Sequence, residues 1–165
     1  MVPIDSTQLL QTARELKLAS NKLLVIAGTT GSGKTDAVRK VSAQLGWPVI
    51  NVGKDVSERL LSLTVRQRRL KAEEVVADAL DASGRRELCL DNTEVLFDSA
   101  LALNPVNLLL NLSRNRVLVV AWNGRLENGS LVYAYPEHPE HFIGPANGFP
   151  VVTVDDEKLH LFLQP

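Results

Sequence analysis

Paired cysteines are missing from this sequence: Cys89 is its single thiol, so no internal disulfide can staple the chain. Order must come from a buried core, and the redox chemistry of a C-x-x-C site is excluded. Within the apolar run ELCLD, Cys89 reads as a small buried hydrophobe and not as a reactive nucleophile. An excess of either charge is missing too. Lys and Arg number 18 against 19 Asp and Glu, for a net charge of -1, so composition gives no basic field that would suggest nucleic-acid binding. No stretch approaches the roughly 18 continuous apolar residues of a membrane span. The N-terminal MVPIDSTQLLQTARELKLASNK alternates charged and apolar residues, unlike the apolar centre of a signal peptide. We therefore expect a cytoplasmic protein without membrane contact. Repeats, low-complexity tracts and linkers are absent as well, and 165 residues suit one compact domain spanning 1–165.

The apolar residues that are present fall into a regular alternation of elements. Ser6 or Asp5 caps a helix with Leu9, Leu10, Ala13 and Leu16 on one face, ending near Ser20. LLVIAG is a short continuous apolar run, the pattern of a strand buried on both faces of a parallel sheet. A helix from Gly33 to Leu45 follows, with Ala37, Val38, Val41 and Leu45 inward and Gly46 and Pro48 as the stop. PVINV is the second strand. Asp55 to Ala82 reads as two helices broken around Leu63 to Arg66, carrying the basic cluster Arg66, Arg68, Arg69 and Lys71. ELCLD and RVLVVAW are the third and fourth strands, separated by a helix in which Asn104 caps and Pro105 occupies the first turn. Alternating strands and helices imply an α/β fold, a mainly parallel sheet with helices on both faces. After Trp122 the pattern changes to a β-hairpin around Asn128–Gly129, then FPVVTV as a last strand and KLHLFLQP as a short strand or terminal turn.

Gly28, Thr29, Thr30, Gly31, Ser32, Gly33, Lys34 and Thr35 spell G-x-x-x-x-G-K-[ST], placed between an apolar strand and an amphipathic helix. Glycines let the backbone curl so that successive N–H groups converge on phosphate oxygens, and the helix N-terminus adds its dipole. In this P-loop NTPase reading Lys34 bridges the β- and γ-phosphates of ATP or another NTP, and Thr35 places its hydroxyl on Mg²⁺. Asp91, at the end of ELCLD, is the candidate to hold that Mg²⁺ through water at the same sheet edge. The order of PVINV between the phosphate loop and ELCLD suggests a sheet with another strand inserted between them, the AAA-like strand order.

Hydrolysis also needs a group that aligns water against the γ-phosphate and donors for the developing charge. In AAA-type ATPases a carboxylate commonly follows the metal Asp, and here Asn92 stands there. An amide can orient water without taking its proton, so Glu94 is the nearest alternative base, or else a first-turn helix glutamate favoured by the dipole. Asn123, ending the fourth strand, is either a γ-phosphate sensor or a turn asparagine. Arg114, Arg116 and Arg125 flank that strand, with Arg116 taken as the candidate to reach a neighbouring subunit's nucleotide as an arginine finger. Such a residue accelerates phosphoryl transfer by about 10³ to 10⁵ fold. No helical lid domain is expected. The YPEHPEH segment has His138 and His141 at metal spacing, but Pro136 and Pro139 oppose a regular helix; we read a rigid surface loop near the nucleotide, not a zinc site.

The stretches GTTGSGKT, LDNTEVLFD, LSRNRVLVVAWNGRL and LVYAYPEHPEH together make the chain resemble the BrxF family, small P-loop proteins of bacterial BREX phage-defence systems, especially the type III arrangement. The resemblance runs from the phosphate loop to about Phe142. In it Asp91, Asn92 and Glu94 match the family pattern, as do Arg114, Asn115 and Arg116 and Tyr133, Pro136 and His138, whereas Glu137 stands where glycine is often found. It implies a nucleotide-binding, nucleotide-hydrolysing component of a multi-protein system that tells host from phage DNA by methylation. The expectation is a Mg²⁺-dependent ATPase, slow alone and coupled to a homo-oligomer or to other BREX proteins. A nucleotide-binding switch without turnover and, further off, a small-molecule kinase are the alternatives. DNA contact through Arg66, Arg68, Arg69 and Lys71 is left open.

Overall fold

The alternating apolar runs resolve into a seven-stranded sheet and a second sheet of three strands. A computed structural model describes residues 1–164. In chain order the elements are β1 (Val2–Ile4), α1 (Ser6–Glu15), β2 (Leu23–Gly28), α2 (Lys34–Leu45), β3 (Val49–Asn51), α3 (Val52–Leu60), α4 (Val65–Asp81), β4 (Glu87–Asp91), α5 (Pro105–Leu112) and β5 (Val117–Asn123). Then come β6 (Arg125–Glu127), β7 (Ser130–Tyr133), β8 (Phe142–Pro145), β9 (Val151–Asp155) and β10 (Lys158–Phe162). The large sheet runs β1-β10-β9-β2-β5-β4-β3. Its five strands from β9 to β3 pair in parallel, while β10 and β1 add antiparallel at one edge. β5 thus lies between β2 and β4, the inserted strand that the sequence order suggests.

Side-chain alternation divides the core into two layers. Leu23 and Val25 of β2, Leu88 and Leu90 of β4, and Leu118, Val120 and Trp122 of β5 face α3, α4, α5 and the small sheet. Leu24, Ile26, Cys89, Val117, Val119 and Ala121 face α1 and α2. Helices therefore cover both faces, as continuous apolar strands require. Local signals set the helix ends. Asp5 and Thr64 make capping boxes with Gln8 and Gln67, and Asn51 and Asn104 accept from Lys54 and Asn107 N–H. Gly46 closes α2 in the left-handed conformation.

Beyond β5 the described residues form strands and turns with no helix. The hairpin turns at Asn128 and Gly129, with φ of 50° and 76°, the pairing that a two-residue I′ turn requires. Two strands differ from the sequence expectation. β1 has only three residues, with Pro3 at a sheet edge, too short to show alternation. β8 reads FIGP, and its Gly and Pro disguise it as a turn although it pairs with β7. Among the described residues no helix is long and apolar enough to cross a membrane.

Cys89 is fully buried against α2, and burial pushes its thiol up to about 12 from 9.0. Native protein keeps this proton where the unfolded chain loses it, so the associated stability is complete below about pH 9 and falls as pH rises toward 12. We expect denaturation midpoints to decline between pH 9 and 10.5 with a shallower slope in Cys89→Ala, and thiol reagents to leave the native protein untouched at pH 8. Equal slopes in the two proteins would show that burial of Cys89 does not contribute.

Candidate functional site

Four of the five α-helices have an N-terminus closed by a side chain, from Asp5, Asn51, Thr64 and Asn104; α2 has none. The first N–H groups of a helix have no intrahelical acceptor, so α2 presents open donors together with the positive end of its dipole. The segment before it supplies the curl. Gly33 has φ of 103°, a region that side-chain-bearing residues avoid. A Cβ on Gly28 would collide with the Ser32 hydroxyl and approach the Val154 carbonyl to 2.9 Å, so only glycine lets the loop fold over the end of β2. Within it Ser32 N–H donates to Thr29 O at 3.1 Å, and the buried Ser32 Oγ has no partner.

The cleft over this loop measures about 300 Å³ and is lined by Thr29, Thr30, Gly31, Gly33, Lys34, Thr35, Asp36, Glu94, Asn123 and Glu157. Asn123 arrives because β5 pairs in parallel with β2, setting Asn123 beside Gly28 in register, and Gly124 N–H donates to Gly28 O at 3.1 Å. Glu94 comes from the turn after β4. That turn is held by Thr93, whose buried hydroxyl donates to Ala121 O at 2.6 Å, and by the buried Leu96 and Phe97. Phe97 meets Trp122 edge-on at 4.9 Å and stacks on Tyr133 at 3.8 Å. Trp122 Nε1–H in turn donates to Val132 O at 3.1 Å, so the small sheet braces the turn from behind. One Glu94 carboxylate oxygen, Oε2, is buried with no hydrogen-bond partner. Burial, then the carboxylates of Glu140 and Glu94, raises the Tyr133 phenol above its ordinary value.

Asn92 is elsewhere. Its φ is 53°, its amide donates to Asn51 Oδ1 at 2.8 Å, and its carbonyl accepts from Gly53 N–H at 2.8 Å. It clamps the end of β4 to the start of α3 and does not line the cleft. Asp91 ends β4 with the parity of Cys89, the face that α2 covers, and pairs in register with Asn51. It shares the sheet edge with the loop but stands one strand beyond β5 and lines no part of the cleft.

Two placements depart from the sequence expectation. Arg116 precedes β5 and so lies at the opposite sheet edge from the phosphate loop. It is tied to Asp81 at 2.7 Å and donates to Leu112 O at 3.2 Å, which closes the end of α5 and leaves no free guanidinium for a finger. The YPEHPEH loop is braced internally, with His138 Nδ1 accepting from Glu140 N–H at 3.0 Å. It packs over Phe97 to Pro105 and does not line the phosphate cleft, because β7 and the Tyr133–Phe97 stack carry it away.

Two cleft residues are missed by sequence reading, Asp36 in the first turn of α2 and, less expectedly, Glu157. It sits in the β9–β10 turn, with φ of 49° at Asp156 and 63° at Glu157. Its N–H donates to Ser32 O at 2.9 Å, docking the turn onto the loop. The sequence signal was DDE between two apolar runs, a turn whose spatial neighbour only the strand order reveals. Gly33, Asp36 and Glu157 also line a neighbouring cleft of about 310 Å³, together with Ser6, Leu9, Ala37, Lys40 and Leu159. Among the described residues no cluster of three or more His, Cys, Asp or Glu is arranged to hold a metal.

No known family and no curated protein matches the sequence. Among solved structures the chain is similar to C. elegans PCH-2, at 17% identity and a TM-score of 0.45, over 74% of this chain and 38% of that one. The chain thus spans well under half of that protein's length.

Proposed function

We propose that the chain is a nucleotide-binding P-loop NTPase of AAA-like strand order that hydrolyses Mg-ATP. The observation that carries this is the buried, unpartnered Glu94 carboxylate oxygen in the same cleft as the uncapped α2 N-terminus, Lys34 and Asn123. An acceptor left unsatisfied at that position costs free energy unless water or a metal-bound ligand meets it. Loop N–H groups and Lys34 bind the phosphates, Glu94 accepts the proton of the attacking water, and Asn123 donates toward the γ-phosphate. The second cleft, with Leu9, Ala37 and Leu159, takes the nucleoside end.

Mg²⁺ fits this donor set, since it keeps several waters and needs one or two carboxylates plus phosphate oxygens, not a closed protein cage. Thr35, which lines the cleft, would hold it directly, and Asp91, at the same sheet edge but outside the cleft lining, would reach it only through water; when bound it would neutralise charge developing on the phosphates. In this reading a homo-oligomer or a larger assembly completes the cleft, which no helix covers among the described residues. The LDNTEVLFD, SRNR and YAYPEHPE stretches support a place among BREX defence proteins.

The test is phosphate release from Mg-ATP across a wide range of protein concentration. A rate per subunit that climbs with concentration is the expected result, and it would mean a site completed between copies. Release at background at every concentration, with tight Mg-ATP binding, would replace the hydrolytic reading with a binding switch.

A further inference from the structure

Winding strands and helices in parallel brings the segment that enters each strand to the sheet edge opposite the phosphate loop. Of the five parallel strands, three are entered by basic segments, those of β2, β4 and β5, which are neighbours in the sheet. Lys22 precedes β2, Arg86 precedes β4, and Arg114, Asn115 and Arg116 precede β5. With Lys17 they line a cleft of about 410 Å³ in which Glu87 is the one carboxylate and Val117 the one apolar residue. The chain carries a net charge of -1, so this edge is strongly positive against a balanced whole.

Helix C-termini point to this edge, and cations belong there simply to balance the dipoles. That accounts for part of the set. Arg116 bonds Leu112 O and Asp81, Arg85 donates to Gly46 O at 3.2 Å, and Lys17 pairs with Glu87 at 3.3 Å. Lys22, Arg86 and Arg114 are left over: among the described residues their side chains meet no carboxylate and make no hydrogen bond. Arg114 also lines an adjoining cleft of about 370 Å³ with Asn21, Asn107, Leu110 and Asn111.

We propose that this edge docks on the phosphate backbone of duplex DNA, with Lys22, Arg86 and Arg114 as the phosphate contacts and the flanking asparagines as hydrogen-bond partners. Three features select that partner. A protein interface is centred on aromatic or apolar anchors, and these clefts contain no aromatic and only Val117 and Leu110 as apolar residues. Single strands are held by aromatic platforms on which bases stack, which are missing for the same reason. The free cations are spread over an open, two-part surface, which suits the repeated charges of a backbone better than one enclosed anion. Sequence-independent binding is the consequence, since phosphate contacts position without reading bases. The proposal is independent of nucleotide hydrolysis, because the two sites occupy opposite edges.

The test is fluorescence anisotropy of a labelled DNA duplex of about 30 base pairs, a length that gives several backbone sites, titrated with the full chain at several salt concentrations with and without Mg-ATP. Binding by the parent should weaken with salt along a log–log slope of roughly -2 to -3, as about three phosphate contacts require. Lys22→Glu/Arg86→Glu/Arg114→Glu should lose more than about tenfold in affinity at low salt. The neutral Lys22→Gln/Arg86→Gln/Arg114→Gln should fall between the two, which keeps the test valid if the charge reversal unfolds the chain. Arg66→Glu/Arg69→Glu/Lys71→Glu, on the exposed face of α4, should bind like the parent. The proposal is overturned by no binding in the parent, by unchanged binding in both edge variants, by loss in the α4 variant alone, or by tighter binding of duplex RNA or of an acidic polypeptide.

Discussion

Lys34→Ala is expected to weaken Mg-ATP binding by about 10 to 10² fold, corresponding to loss of a charge-assisted hydrogen bond of about 1.5–3 kcal/mol. Lys34 is the first residue of α2 and meets no carboxylate in the fold, so its ammonium is uncommitted until a phosphate arrives. The open N–H groups of the same helix end remain in the variant, which is why binding should be weakened and not abolished. Because the side chain makes no intramolecular pair, stability without nucleotide should stay within about 0.5 kcal/mol of the parent. Saturating Mg-ATP should raise the parent's Tm by mass action and raise that of Lys34→Ala less at the same concentration. Calorimetric affinities that match in the two proteins would remove Lys34 from the nucleotide site.

The elements that sequence reading placed well are those whose signals are local. β2 is one unbroken apolar run, α2 ends at a left-handed Gly46, and α5 begins at Asn104 and Pro105, so each boundary follows from a few neighbouring residues. The curl of the Gly28–Gly33 segment between β2 and α2 belongs to the same group, since its glycines act on their own backbone. What was illegible depends on who sits beside whom. Glu157 reaches the cleft only because β9 pairs with β2 and the following turn then overhangs Ser32. Arg116 immediately precedes the buried β5, yet it stands at the end of that strand opposite the Gly28–Thr35 loop, with its guanidinium taken by Asp81 and Leu112 O. Spacing along the chain could not separate Asn92 from Glu94. The left-handed backbone at Asn92 turns its amide onto Asn51, and the Thr93 bond to Ala121 O then swings Glu94 to the cleft.

That division of labour makes Glu94→Gln the sharpest probe of the chemistry. The amide keeps the shape and can still orient water, but it cannot accept a proton, so turnover should fall by about 10² to 10⁴ fold, the range for loss of a positioned general base. Binding should be retained, and it should tighten slightly because a carboxylate beside the phosphates is gone. Asn92→Ala gives the opposite profile. It removes one hydrogen bond, worth about 0.5–1.5 kcal/mol net, and a residue type that tolerates positive φ, so it should cost stability while leaving the rate per folded subunit largely intact. Measuring single-turnover phosphate release and chemical denaturation on both variants separates the two roles. A Glu94→Gln protein that releases phosphate at the parental rate would mean that the orphaned carboxylate oxygen is met by something other than the attacking water. A large rate loss in Asn92→Ala at unchanged stability would return the water to the residue next to Asp91. The physical reason to expect the first pattern is the anchoring behind Glu94. Thr93 is fixed to β5, and Phe97 is wedged between Trp122 and Tyr133, so the backbone that carries Glu94 is fixed before any substrate binds.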